Sequence, residues 1–188
     1  MIELTGKHVV LRPLERAHCR LLWERYEPEI QFPTEPLNVG ASVEGAEEWF
    51  EDIQAKHGKT QVYVGIFTSA GDLVGEVQLA NIDWRNRTAN VGVGMTKRED
   101  RGKGYGTEAC RLLIRHGFDQ LDLVRVWSRT YEYNEAAQKL LQKLGFTLEG
   151  RERAAVYCSG KRWARLIYGL LRDEYEPVQS SGRHVEEG

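Results

Sequence analysis

Nowhere is this 188-residue chain apolar for long enough to cross a bilayer, which needs about 20 consecutive apolar residues. Its start, Met1-Ile2-Glu3-Leu4-Thr5-Gly6-Lys7, lacks the apolar core of a secretory leader. Cysteine is scarce and odd in number. Cys19, Cys110 and Cys158 are too far apart for metal-ligand spacing or a disulfide framework. A reducing, cytoplasmic setting is therefore expected, with each thiol a small buried or half-buried residue and no metal bound. An excess of charge is missing as well. Lys and Arg total 26 against 28 Asp and Glu, a net charge of −2, with no basic block. That balance argues against nucleic acid and against a membrane surface as partners. Proline is rare, and three of the five, Pro28, Pro33 and Pro36, fall in one short stretch. No repeat and no interdomain linker is visible. What is present is an ordinary globular balance, 41% hydrophobic and 29% charged. One domain with a sizeable core is expected over residues 1–172, with residues 173–188 as a flexible tail.

In chain order, Lys7 to Arg12 alternates as a strand that Pro13 ends. Ala17 to Tyr26 carries Leu21, Leu22 and Trp23 at helical spacing. Residues 27–41 read as loop, and the acids Glu27, Glu29 and Glu35 there could attract a cation. Ser42 is a suitable N-cap for a helix running through Ala46, Trp49, Phe50 and Ile53 to near Gly58. Gln61 to Thr68 and Leu73 to Ala80 are strands about the turn Ser69-Ala70-Gly71-Asp72. Asp83 to Arg87 is a polar bend before a strand with Val91, Val93 and Met95. A helix over 106–120, a strand from Leu123 to Arg129, and a helix from Asn134 closed by Gly145 follow. Phe146–Glu149, Ala154–Cys158 and Trp163–Leu171 are closing strands. One βαβ unit among antiparallel pairings makes a mixed sheet of the α+β class.

That βαβ unit carries the chemistry. A strand ends near Met95, a charged loop spans Lys97 to Arg101, and Gly102, Gly104 and Gly106 open a helix with Ala109, Leu112, Leu113 and His116 on one side. Glycines let a backbone turn tightly and approach a ligand. The first amides of a helix have no partner within it, and the helix dipole is positive there, so a phosphate is the expected guest. A side chain at Gly104 or Gly106 would then occupy the phosphate site. The Walker pattern fails because Gly104 follows Lys103. The dinucleotide pattern fails because its third glycine falls on Thr107 or Ala109. What fits is an Arg, two residues, Gly, one residue, Gly: Arg101, Gly104 and Gly106.

This spacing resembles the coenzyme A loop of the GNAT superfamily of N-acetyltransferases. Four more matches, in order, are similar to its ribosomal-protein-alanine (RimJ/RimL-type) branch: Gly6 to Leu14, Leu73 to Val77, Ile82 to Gly94, and Asn134 to Ala137 with Leu144-Gly145-Phe146. The resemblance spans Leu4 to about Leu171. It implies the GNAT fold, a mixed and mostly antiparallel sheet flanked by helices, with a splayed parallel strand pair. It also implies acetyl-CoA as cosubstrate, an amine acceptor such as a protein N-terminus, a polyamine or an aminoglycoside, and a monomer or homodimer.

By the same resemblance, the amides from Arg101 to Thr107, including Gly102, Lys103 and Tyr105, hold the pyrophosphate. Gly94, Met95 and Thr96 face the cofactor arm, the Met95 N–H stabilises the oxyanion, and Asn134 bonds the arm besides capping its helix. Glu76 is the leading base, with Asp83 as an alternative. Relatives carry a tyrosine where this chain has Leu141 and often an aspartate where it has Ala164, so the acid is open, with Tyr131 and Tyr133 as substitutes. Glu108 is expected to partner the helix dipole and His116 to pack. Direct attack in a ternary complex is expected, since no cysteine has an activating neighbour. The alternatives are a non-catalytic coenzyme A-binding module and a scaffold whose loop holds no ligand.

Overall fold

Period-two patterns of β-branched and aromatic residues build most of the molecule. The computed structural model describes residues 2–25 and 42–175. Among them the elements run β1 (Leu4–Thr5), β2 (Val9–Pro13), α1 (Arg16–Arg25), α2 (Glu44–Lys56), β3 (Val62–Thr68), β4 (Leu73–Asp83), β5 (Thr88–Met95), α3 (Tyr105–Asp119), β6 (Arg125–Tyr131), α4 (Glu135–Lys143), β7 (Thr147–Cys158) and β8 (Lys161–Leu171). The eight strands form one sheet in the order β1-β2-β3-β4-β5-β6-β8-β7. Only β5 and β6 pair in parallel; every other neighbour is antiparallel. This is the mixed α+β sheet expected.

The sheet is covered on both sides, which explains why β3 is buried along nearly its whole length. On one face Val64, Val77, Val91, Val126 and Leu170 pack with Leu113, Ile114 and Phe118 of α3. Each such side chain contributes about 1.5–3 kcal/mol when fully buried, so packing holds α3 in place. On the other face Tyr63, Phe67 and Leu73 pack with Cys19 and Leu22 of α1 and Ile53 of α2. Among the described residues no helix is long and apolar enough to cross a membrane.

Several boundaries differ from expectation. Ser42 does not cap α2: the N-cap is Val43 without a side-chain bond, and the Ser42 hydroxyl instead bonds the Glu44 carboxylate and holds its pKa down. The strand expected at Leu123 starts at Arg125, because Asp122 adopts φ 54° and the Val124 amide is spent on the Arg87 carbonyl. The two short strands expected between Phe146 and Cys158 are one strand, β7, with register shifts at Leu148/Gly150 and Glu152/Val156. The chain stays packed past Asp173. The Tyr175 ring lies 5.4 Å from Phe118, and its hydroxyl donates to the Arg111 carbonyl. The loop at 27–41, with Glu27, Glu29 and Glu35, lies outside the described residues, as do 176–188.

Candidate active site

β5 and β6 pair only over Thr88↔Arg125, Ala89↔Val126 and Asn90↔Trp127. Beyond that they part. β5 stays paired with β4 as far as Met95↔Gly75, and β6 with β8 as far as Tyr131↔Arg165. Both arms of the resulting fork are thus held from outside. Along β5 the main-chain groups alternate in direction. The Thr96 amide donates to Val74 on the β4 side, while the Val91 carbonyl faces β6 and accepts from Ser128. The amides of Val93 and Met95 therefore point into the fork, and those of Gly94 and Thr96 point away from it. Val93 and Met95 pack against the α3 side. Gly92 and Gly94 lie on the opposite face, beside Gln78 and Glu76 of β4, and the Gln78 side chain lies over Gly92.

The glycine loop closes one end of the fork. Gly102 and Gly104 have φ of 77° and 88°, conformations that only glycine adopts cheaply, and a Cβ on either would point into open space. Gly104 is the N-cap of α3. The amides of Tyr105, Gly106 and Thr107 lie in the first turn, where the helix itself offers no acceptor. Two expectations change here. The Arg101 amide is already bonded to the Arg98 carbonyl, so it leaves the phosphate set, and only its side chain remains a candidate. A Cβ on Gly106 would not enter the phosphate site but would meet Val93, Leu140 and Met95 at 3.6–3.7 Å. Lys103 lies 3.2 Å from Asp100, which raises its pKa. A cleft of about 540 Å³ borders the loop's outer side, but Lys97 and Lys103 there are matched to Glu99 and Asp100. Donors for an anion come from the helix start.

Glu76 is 7% exposed, on the face covered by α1. Its charge helps to push the buried Cys19 thiol up to about 12, burial being the larger cause. In the β4–β5 register Glu76 stands opposite Gly94, one residue from Met95. Asp83 lies at the other end of β4. Seven residues at about 3.3 Å each put it roughly 20 Å from Glu76. It pairs with Thr88 at the closed end of the fork. There it accepts the Asn86 amide at 2.8 Å and the Asn86 side chain at 2.7 Å, bonds that hold its pKa down. It closes a turn and is too far away to share a proton with the fork.

The β6–α4 connector forms the other wall. The Asn134 side chain accepts from the Ala137 amide at 3.1 Å, a working cap. Tyr131 stacks on Tyr133 at 5.3 Å, and Trp163 meets Tyr133 edge-on at 5.3 Å. Burial, then Cys158, raises the Tyr133 pKa. Leu141 and Ala164 are both buried and apolar, which leaves no acid at those two positions. Glu108 does more than face the helix dipole: it accepts from the amides of Lys7 and His8, tying the β1–β2 turn to α3. His116 packs half-buried, and burial lowers its pKa. Sequence reasoning missed Ser128, Asn90, Glu132 and Gln138. Gln138 donates to the Glu132 carbonyl at 2.8 Å, and Glu132 accepts the Ala164 amide at 3.2 Å. Buried polar residues inside a strand, Ser128 and Thr130, were the visible signal. Among the described residues no group of His, Cys, Asp or Glu could hold a metal ion.

A fork edged with backbone donors and closed by a helix start suits a long, amide-bearing molecule that ends in a pyrophosphate. Residues 8–147 match the acetyltransferase (GNAT) domain, and the chain belongs to that family, whose fold it has and whose members are acetyl-CoA-dependent N-acetyltransferases. It is 38% identical over 106 residues to the putative ribosomal N-acetyltransferase YdaF of Bacillus subtilis (strain 168), covering 56% of this chain and 57% of that one. It is 29% identical over 178 residues to spermidine N(1)-acetyltransferase of Escherichia coli (strain K12), covering 89% of this chain and 88% of that protein. The RimL ribosomal L7/L12 alpha-N-protein acetyltransferase, solved with coenzyme A, superposes with a TM-score of 0.83 at 18% identity, covering 92% of this chain and 99% of that one. At that identity the likeness is one of fold.

Proposed function

We propose that the fork between β5 and β6 takes the pantetheine arm of acetyl-CoA, and that acetyl transfer to an amine happens at its β5 edge. The observation carrying this reading is the parting of two externally braced strands beside a helix start with a left-handed glycine cap. The residues present fit the group. Tyr105, Gly106 and Thr107 offer amides to the pyrophosphate, with Gly102 and Gly104 keeping the approach open and the Arg101 and Lys103 side chains at the rim. Asn134 bonds the arm with its side-chain amide besides capping its helix.

When bound, acetyl-CoA supplies the activated thioester. The amine must be neutral to attack, and a free α-amine, with a pKa near 8, needs less help than a lysine near 10.4. Glu76 takes the proton, directly or through one water, from the face on which it lies beside Gly94. The Met95 amide donates to the oxygen that gains charge; a donor of this kind is typically worth about 10²–10³ in rate. Attack is direct in a ternary complex. The buried thiols of Cys19 and Cys110 are both held up near 12, the wrong direction for a nucleophile.

The acceptor is an amine, and one reading is a protein N-terminus of the RimJ/RimL kind, which the putative ribosomal N-acetyltransferase YdaF supports. Its equal, a polyamine, has the spermidine enzyme behind it. A thiol-release assay with acetyl-CoA against N-terminal peptides and polyamines decides between them. Glu76→Gln should lower the rate by about 10²–10⁴ and change its pH profile. An unchanged rate and profile would remove Glu76 from the chemistry. Coenzyme A binding without turnover of any amine would favour the non-catalytic module.

A further inference from the structure

β5 and β6 had a way to continue pairing. In the register that ends at Asn90↔Trp127, the next rung would run from the Arg129 amide to the Val91 carbonyl. That carbonyl is occupied instead. It accepts the Ser128 hydroxyl at 3.0 Å, in a buried position. One step below, the Asn90 side chain donates across the strands to the Trp127 carbonyl at 3.2 Å. Two side chains thus cross the same gap, one on each side of the last rung.

The direction of the β6 groups makes this consequential. The Glu132 amide donates to Ala164 on the β8 side, and the Trp127 carbonyl faces β5. Odd-numbered residues of β6 therefore turn their main-chain groups toward the fork. The Arg129 amide thus points into the opening, and the Ser128 hydroxyl stands on the Val91 carbonyl in the gap between the strands.

We infer that Ser128 is a positioning residue that sets where the fork begins. Its hydroxyl takes the acceptor the ladder needs, stops the strands from zipping, and presents the Arg129 amide to the cofactor arm; Asn90 keeps the rung below it shut. The role toward the cofactor rests on the fork being the acetyl-CoA site. The parting of the strands does not, and the two are separable. A serine suits the task because its hydroxyl is short and rotates freely to a main-chain oxygen. An alanine would take the hydroxyl out of the gap and free the Arg129 amide to close on the Val91 carbonyl.

The test is residue-resolved amide exchange on the full chain, with steady-state kinetics, for Ser128→Ala and Ser128→Thr. Without coenzyme A, the Arg129 amide of Ser128→Ala should exchange at least about tenfold more slowly than in the unsubstituted protein. Its KM for acetyl-CoA should rise about tenfold, with kcat changed less than about threefold. Ser128→Thr, which keeps the hydroxyl, should restore both. Should Ser128→Ala fail to fold, Ser128→Cys, nearly the same size with a weaker donor, carries the same comparison. Arg129 exchange as fast as in the unsubstituted protein would overturn the role of Ser128 at the parting. Coenzyme A that leaves the Val93 and Met95 amides unprotected in the unsubstituted protein would overturn the fork as cofactor site, and the role of Ser128 toward the cofactor with it.

Discussion

Gly104 and Gly106 are two residues apart and do different work. Gly104 holds φ 88° with open space where its Cβ would be. An L side chain in that conformation costs roughly 1–2 kcal/mol, and with the pyrophosphate bound as proposed it would stand in the approach. Gly106 is helical, and its Cβ would make ordinary contacts with Val93, Leu140 and Met95. Gly104→Ala should therefore weaken coenzyme A binding by about tenfold or more in calorimetry, while Gly106→Ala should change it by less than about threefold. Equal effects would mean that the loop acts through flexibility instead. The loop was legible in the sequence because left-handed backbone leaves glycines behind. The burial of Glu76 was not. Alternation assigns it a face, but only the packing of α1 on that face says that the face is covered. Ser128 was less legible still. Its partner is a main-chain carbonyl 37 residues away, and main-chain groups look alike at every position.

At the scale of elements, the connector between β6 and α4 is pinned by one carboxylate. Glu132 accepts the Ala164 amide and the Arg151 guanidinium, and the amide first, then the arginine, holds its pKa below the usual carboxylate range. A carboxyl whose pKa falls on folding stabilises the fold above its unfolded value and loses that contribution as pH drops through the folded one. Glu132→Gln should thus lower the urea midpoint at pH 7, and the gap to the unsubstituted protein should close as pH falls below the usual carboxylate range. A gap that persists in acid would mean that shape, not charge, is what Glu132 supplies. Helices with cap and stop residues, such as α4 between Asn134 and Gly145, were readable within a residue or two. β7 was not readable as one strand, since its charged middle lies at the sheet edge with Arg151 and Arg153 exposed and Glu152 half-buried. No hydrophobic alternation is required there. β6 began late because a tertiary bond to Arg87, invisible locally, claims Val124.

The whole sheet is two antiparallel ribbons, each contiguous in sequence: β1 to β5 within residues 4–95, and β6 to β8 within 125–171. Three ladder pairs and the two side-chain bonds of Ser128 and Asn90 join them, and α3 packs chiefly on the first ribbon. A ligand bonded to both arms of the fork supplies the rungs that the protein omits. At 100 times its Kd such a ligand adds about 2.7 kcal/mol of stability, and here the gain should not be evenly shared. Hydrogen exchange in the apo protein should show the two ribbons opening as separate cooperative units with different free energies. Saturating coenzyme A should merge them into one, and ribbons that already open together without ligand would contradict this. With the proposed cofactor fork opening at this three-rung join, the cooperativity of folding should follow the supply of cosubstrate. The chain should behave as one unit with coenzyme A plentiful and as two with it depleted, the weaker ribbon being the first that a protease reaches.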